Sequence, residues 1–284
     1  MNKKYFTPKK IHAYLRAAIQ LVFFLFLPSA FTTAFSGIKS VLTQIGAGNP
    51  IALSSFLTVL LALCAYTIVF GRFFCGYACA FGTLGDAVHS LYLFLCKKCK
   101  KKPLLLKKSW KKPLSYLKYA VLLAVVLLCF LGVYGDLTGW SPWDVFSMLR
   151  SGNFKVGAYW LGCILLVLIL VGMVFCERFF CRFLCPMGAV FSLLPILPFF
   201  SVRRKREKCA KGCTACEKVC PSDLSLPEDG SWNVSGDCFQ CQKCLEICPK
   251  KNAKSSIRNF RGNEIWFTVL RAVVLAVVLI LAGI

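Results

Sequence analysis

Apolar residues in this chain gather in long runs instead of alternating with polar ones, and charged residues crowd between the runs. Four runs are long enough to cross a bilayer as helices, which takes ~20 residues. They are Ala17–Phe35, Ile51–Phe70, Tyr116–Tyr134 and Gly157–Cys176. A fifth, Ile265–Ile284, closes the sequence and carries Arg271 near its start, within snorkelling reach of the interface. Two further apolar stretches are interrupted: Phe73–Leu95 by Gly76, Gly82 and Gly85, and Phe179–Phe200 by Pro186, Gly188, Pro195 and Pro198. They are expected to form broken, re-entrant or interfacial helices, because non-helical backbone at that depth must be buried in protein or line a cavity.

Composition and charge turn these runs into a topology. Of 284 residues 57% are hydrophobic and the mean hydropathy is +0.65, which excludes an ordinary soluble protein. The formal charge is +23, from 35 basic and 12 acidic residues. The bases lie beside the apolar runs, where they suit orientation signals and contact with anionic lipid, so no nucleic-acid partner is expected. If the interrupted stretches do not cross, 31 of the 35 Lys and Arg fall on one side of the bilayer. Lys39, Arg150 and Lys155 fall on the other, and Arg271 within a span. The positive-inside rule then places the N-terminus, the polybasic loop Lys97–Lys112 and the segment before the last span on the cytoplasmic face of a bacterial-type membrane, with the C-terminus outside.

The membrane part repeats itself. Gly71-Arg72-Phe73-Phe74-Cys75-Gly76-Tyr77-Ala78-Cys79-Ala80-Phe81-Gly82 aligns with Glu177-Arg178-Phe179-Phe180-Cys181-Arg182-Phe183-Leu184-Cys185-Pro186-Met187-Gly188 at an offset of 106. Tyr14-Leu15-Arg16 matches Tyr116-Leu117-Lys118 at an offset of 102, each opening a span. Each unit therefore reads as span, span, broken helix, and two such units with equal orientation form parallel repeats. Lys3, Lys4, Lys9 and Lys10 before an apolar run imitate a signal peptide, but the partner of that run in the second unit is an internal span.

Twelve of the eighteen cysteines carry the candidate chemistry. Cys238, Cys241, Cys244 and Cys248, followed by Pro249, form the C-x2-C-x2-C-x3-C-P run that holds cubane iron–sulfur clusters in bacterial ferredoxins. Cys209, Cys213, Cys216 and Cys220, followed by Pro221, form a second run, one residue longer at its start. In two-cluster ferredoxins the fourth Cys of each run ligates the other cluster. That pattern groups Cys209, Cys213 and Cys216 with Cys248, and Cys238, Cys241 and Cys244 with Cys220. A zinc ribbon also uses four thiolates, but not two tandem runs each ending in Cys-Pro.

The remaining four are the C-x3-C pairs Cys75/Cys79 and Cys181/Cys185. On a helix, residues i and i+4 share a face, so two facing pairs would offer a four-thiolate site suited to iron–sulfur or zinc. Alternatively they are small buried hydrophobes, the reading taken for Cys64, Cys129 and Cys163. Arg72 and Arg178 precede the pairs; they would offset thiolate charge, meet lipid headgroups, or stand solvated. Cys96 and Cys99 form a C-x2-C in the polybasic loop and read as surface thiols. His12 and His89 are the only histidines, and a bis-histidine haem would need both. Trp140, Trp143, Asp136 and Asp144 read as an external interfacial anchor. No nucleotide-binding or nucleophile-elbow motif is present, and no proton-relay carboxylate is expected in mid-span, which counts against transport.

The paired motifs and the cysteine-rich tail resemble the membrane polyferredoxins of the NapH/MauN/NosR type over nearly the whole chain. The resemblance implies a multi-span protein with two cytoplasmic [4Fe-4S] clusters that passes electrons across or along the membrane, drawing on quinol or serving extracytoplasmic reductases and their maturation. Where that group has Cys-Pro in the first motif, this chain has Cys79-Ala80. It also lacks an extracytoplasmic flavin domain between its third and fourth spans, so a flavin would belong to a separate partner protein.

The expected architecture is an all-α membrane bundle with a parallel internal repeat, plus a small α+β two-cluster ferredoxin-like domain. The expected order is repeat 1 (1–95), polybasic loop (96–113), repeat 2 (114–202), ferredoxin-like domain (203–262) and a final transmembrane helix (263–284). The expected function is electron relay between a cytoplasmic donor or acceptor and the membrane, to quinone or an extracytoplasmic redox partner. The chain reads as a subunit of an oxidoreductase system and not a complete enzyme. The alternative is a redox-sensing or maturation factor for a partner metalloenzyme.

Overall fold

The computed structural model describes residues 8–135, 140–154, 159–197, 200–257 and 264–284. Lys3, Lys4, Asp136, Lys155 and Pro198, which entered the sequence reading, lie outside them. The chain divides into two compact units, neither of them continuous in sequence. One comprises Met1–Leu27, Ala62–Cys79 and Val190–Leu281; the other comprises Pro28–Leu61, Ala80–Ala189 and Ala282–Ile284.

In the first unit a small antiparallel sheet carries the cysteine-rich segment. Its strands are β1 (Phe200–Lys205), β2 (Asp229–Trp232) and β3 (Lys254–Ile257), in the order β2-β1-β3. Val202 pairs with Ser255 and Arg203 with Trp232, with a register irregularity between Arg203 and Lys205. Val202, Cys216, Leu226, Leu245 and Ala253 form its core, with Cys244 and Cys248 packed against it. The final helix, Glu264–Leu281, buries Thr268, Arg271, Leu275 and Leu279, a stripe at helical spacing. Arg271 does not snorkel as expected. It is 1% exposed, because it lies on the buried stripe, where Ser255 Oγ and the Phe267 carbonyl accept its hydrogen bonds at 3.0 and 3.3 Å.

In the second unit the core is aromatic. The Phe81 ring stacks on Phe180 at 4.5 Å, Phe31 meets both edge-on, and Trp143 packs edge-on against Phe35 at 5.1 Å. Trp143 is therefore a core residue and not the interfacial anchor expected from sequence; its indole Nε1 donates to Tyr134 Oη at 3.2 Å. Ser141 caps the helix Pro142–Arg150, its Oγ accepting from the Asp144 amide at 3.3 Å, a common way to satisfy a first-turn amide.

The apolar runs form fewer continuous crossings than expected. Ser109–Phe130, helical apart from a turn at Ser115–Tyr116, and Glu264–Leu281 are each long and apolar enough to cross a membrane. The predicted span Ala17–Phe35 is interrupted: helix Pro8–Phe26 ends before Pro28 and Ala30–Gly46 begins after it, since proline lacks the amide that would continue the ladder. Together these two would make a third crossing if they act as one broken span. Ser55–Phe70 and Trp160–Phe175 are apolar but 16 residues each, short of the ~20 needed.

The first interrupted stretch is broken at another point than predicted, while the second breaks at two of its prolines, a helix starting at Pro186 and ending before Pro195. Helix Phe73–Tyr77 stops at Ala78–Cys79, and Ala80–Lys98 then continues through Gly82 and Gly85. Its partner stretch does the same: Phe179–Phe183, a break at Leu184–Cys185, then Pro186–Leu193. Gly85 serves packing instead, lying against Met173. Cys96 falls inside helix Ala80–Lys98, and the polybasic loop begins after it.

The second copy of the motif is fixed by an ion pair that sequence reading missed. Arg178 is fully buried and grips Asp86 with two hydrogen bonds, Nε to Oδ1 at 3.1 Å and Nη2 to Oδ2 at 2.5 Å. Arg178 also holds a left-handed backbone at φ 55°, a conformation that costs a non-glycine residue ~1–3 kcal/mol and persists only when its surroundings enforce it. Removing one partner of such a pair strands the other charge, which costs ~3–5 kcal/mol. Asp86→Ala is therefore expected to destabilise the protein by that order, and Asp86→Ala combined with Arg178→Met by clearly less. Thermal unfolding in detergent measures both.

Candidate metal centres

The cysteine-rich segment is mostly loop, and its thiols are positioned by very short helices, Ala215–Lys218 and Lys243–Ile247, set against the sheet. Cys216, Cys220, Cys238, Cys241 and Cys244 line one cavity, together with Val202, Leu226 and Phe239. Among the described residues no three Cys, His, Asp or Glu side chains converge to hold a single metal ion. The thiols line a shared space instead, a disposition that suits a cluster of several irons, which takes one thiolate per iron.

Cys209 and Cys248 are brought together by a residue that the sequence reading did not weigh. Asn252 Nδ2 donates to Cys209 Sγ at 3.3 Å, and the Asn252 amide donates to Cys248 Sγ at 3.2 Å. The Ala253 amide adds a bond to Cys248 at 3.5 Å. Cys216 accepts from Arg204 Nη1 at 3.1 Å, and Arg206 holds the Cys213 carbonyl at 2.8 Å. Amide and guanidinium donors to sulfur stabilise thiolate over thiol and are among the features that tune cluster potentials. The only sequence signal for Asn252 is its place three residues beyond Cys248-Pro249, a polar side chain in a tight turn where Lys251 has φ 51°.

The thiols around the cavity are costly to ionise alone. Burial pushes Cys238 up to about 12 and Cys220 up to about 11, and it raises Cys244 well above an ordinary thiol; neighbouring sulfurs, Cys241 first, add to each shift. A metal core would remove this penalty by supplying positive charge, and loading it would release the thiol protons.

The first copy of the membrane motif lies directly against this site. Arg72 is buried, donates from Nη1 to the Gly236 carbonyl at 3.3 Å, and stands 3.7 Å from Asp237 Oδ1. Its guanidinium stacks 4.7 Å from the Phe239 ring centroid. A Cβ on Gly76 would meet the Phe239 carbonyl oxygen at 2.3 Å, so glycine is what lets the loop before Cys241 seat beside Cys75. At the equivalent place the second copy has Arg182. Arg16 adds another tie, donating to the Cys241 carbonyl at 3.0 Å and pairing with Glu246 at 2.7 Å.

Neither C-x3-C pair is the i, i+4 helical pair expected. Cys79 and Cys185 lie past the ends of their short helices, their amides bonded back to Phe74 and Phe180 at 2.9 Å. Each precedes a new helix, and Cys185 Sγ caps one, accepting from the Gly188 amide at 3.2 Å. A helix N-terminus favours a thiolate. Cys75 and Cys79 belong to the first unit, Cys181 and Cys185 to the second. The histidines have protein partners, His89 Nδ1 at 3.0 Å from the Val174 carbonyl and His12 Nε2 at 3.6 Å from Glu264.

Comparison with known proteins supports iron–sulfur binding by this chain. The sequence model of a 4Fe-4S binding domain matches residues 52–113 and 158–206. These two segments contain both copies of the membrane motif and end before Cys209. Two uncharacterized proteins of Methanocaldococcus jannaschii are similar. One is 32% identical over 198 residues, covering 70% of this chain and 69% of the relative; the other is 31% identical over 237 residues, covering 82% and 90%. Ferredoxin-type protein NapH of Haemophilus influenzae is 27% identical over 211 residues, 70% of this chain and 67% of its own. No solved structure matches. The chain belongs to the family of 4Fe-4S-binding proteins of the membrane polyferredoxin type.

Gly76→Ala is expected to displace the Phe239–Cys241 loop, costing ~1–3 kcal/mol as overpacking does. Iron and sulfide content should fall with it, measured against Gly85→Ala, whose Cβ would meet only ordinary contacts near 3.6 Å.

Proposed function

We propose that this protein is a membrane-bound electron relay in which two [4Fe-4S] clusters exchange electrons with a cytoplasmic donor or acceptor and with the bilayer. Cys209, Cys213, Cys216 and Cys248 hold one cluster; Cys220, Cys238, Cys241 and Cys244 hold the other. The observation that carries this reading is the crossed grouping of the thiols. Asn252 bridges Cys209 to Cys248, and Cys220 joins Cys238, Cys241 and Cys244 in the lining of one cavity that Cys216 also borders, which supports the exchange of fourth ligands that two-cluster ferredoxins use.

The second cluster is the one that faces the membrane motif, because Gly76 and Arg72 contact the loop carrying Cys238 and Cys241. Electrons pass at this contact, and Cys75 and Cys79 stand at it. Cys75, Cys79, Cys181 and Cys185 remain the candidate ligands of a further iron–sulfur or metal site, on the ground that the family match covers both pairs. Orientation follows the charge count, with the N-terminus and ferredoxin segment cytoplasmic and the C-terminus outside. It is supported by the contacts of Arg16 and His12 with Glu246 and Glu264, which put the start of the first helix beside the ferredoxin segment. The partners are the bilayer, a cytoplasmic redox protein, which can be a flavoprotein, and quinone or an extracytoplasmic redox protein.

In purified full-length protein, Cys248→Ser is expected to remove the cluster of Cys209, Cys213 and Cys216 and leave the other, roughly halving iron and sulfide. Loss of the opposite cluster, read by EPR, would overturn the crossed assignment. In proteoliposomes, reversible reduction of the remaining cluster by quinol or by reduced ferredoxin is the outcome expected of a relay; clusters inert to both would contradict it.

A further inference from the structure

Arg271 poses an electrostatic problem that the relay reading answers. Its side chain is 1% exposed on the final helix. Nε bonds to the Phe267 carbonyl and Nη2 to Ser255 Oγ, while Nη1 has no hydrogen-bond partner among the described residues. Among the described residues the groups around it are neutral: the Phe73 ring at 5.1 Å from the guanidinium, Ser255, Tyr77, and Tyr66, whose hydroxyl bonds to the Arg271 carbonyl at 2.9 Å. Two other buried arginines meet a carboxylate: Arg178 has Asp86, and Arg72 has Asp237. Leaving a guanidinium in a low-dielectric interior without an anion is costly, so a negative charge is called for nearby.

The cluster site supplies one. Thr268, one helical turn before Arg271, is hydrogen-bonded with Gln242 at 2.9 Å, and Gln242 follows Cys241. Arg271 interacts electrostatically with the Cys238 sulfur, as Arg72 does. Four thiolates outweigh the positive charge of a [4Fe-4S] core, so the loaded site is anionic, and it becomes more so when reduced.

We infer that Arg271 is the fixed counter-charge of the cluster held by Cys220, Cys238, Cys241 and Cys244, and that its guanidinium raises that cluster's reduction potential. This rests on the iron–sulfur reading above. The step concerned is gain of one electron by the cluster core from the cytoplasmic donor, with no bond made or broken. A buried cation favours the more negative, reduced state, and water does not screen it there. Arg271 is thus a positioning charge that makes the cluster beside the membrane motif the better electron acceptor than it would otherwise be.

The test is potentiometric titration followed by EPR on the full chain in detergent, with the signal of this cluster assigned by its loss in Cys241→Ser. Arg271→Gln is expected to lower the midpoint potential of this cluster by about tenfold in its redox equilibrium, ~59 mV for one electron, and to leave the other unchanged. Arg271→Lys should restore most of the shift. Ser255→Asp, which gives Arg271 a carboxylate without removing it, should lower the same potential. Loaded clusters with unaltered potentials in both Arg271→Gln and Ser255→Asp would overturn the inference. If Arg271→Gln fails to load while Arg271→Lys loads, the charge is needed to hold the anionic cluster, which supports it. Failure of both to load would show that side-chain shape is what matters and would overturn it. Wild-type protein without iron and sulfide would instead overturn the iron–sulfur reading itself.

Discussion

A guanidinium taken out of water has to be met by an acceptor or an anion, and this protein takes several out of water. Arg72, Arg178 and Arg271 are among its largest fully buried side chains. Where each finds its partner decides what surrounds it. Arg178 turns to Asp86 and holds its motif in a strained left-handed backbone. Arg72 occupies the same place in the first copy but turns to Gly236, Asp237 and Phe239 of the cysteine-rich segment. Two copies of one motif thus do different work. The second closes on a helix of its own unit, and the first receives the loop before Cys241.

Position 76 sharpens that difference. The copies match closely through Arg-Phe-Phe-Cys and then diverge, glycine in one and arginine in the other. In the first copy a side chain would collide with the Phe239 carbonyl. The glycine is therefore a docking feature, while Gly82 and Gly85, which look like helix breakers in sequence, lie inside a continuous helix. A glycine among apolar residues signals close approach or a break equally well, and only the partner surface says which.

What the sequence made legible was whatever rests on covalent spacing. The Cys-Pro runs, the repeat and the long apolar stretches could be read because ligand spacing and apolar period are local properties. The crossed grouping proposed for the thiols follows from the chemistry of those runs, and the residues that surround the thiols were not legible. Asn252, Asp86 and the inward turn of Arg271 depend on partners 43, 92 and 16 residues away. Trp143 was misread for the same reason, since an external anchor and a core aromatic look alike until Phe35 is beside it. The span lengths failed at Pro28 and in the two 16-residue helices, because hydropathy counts residues without regard to where the helix stops.

The central claim is that the C-terminal thiols hold cubane clusters and not single ions. Anaerobically purified full-length protein, assayed for iron, acid-labile sulfide and zinc, tests it most directly. Two cubanes give no less than about eight iron and eight sulfide per chain, with little zinc. Zinc bound in place of iron, with no labile sulfide, would contradict the account.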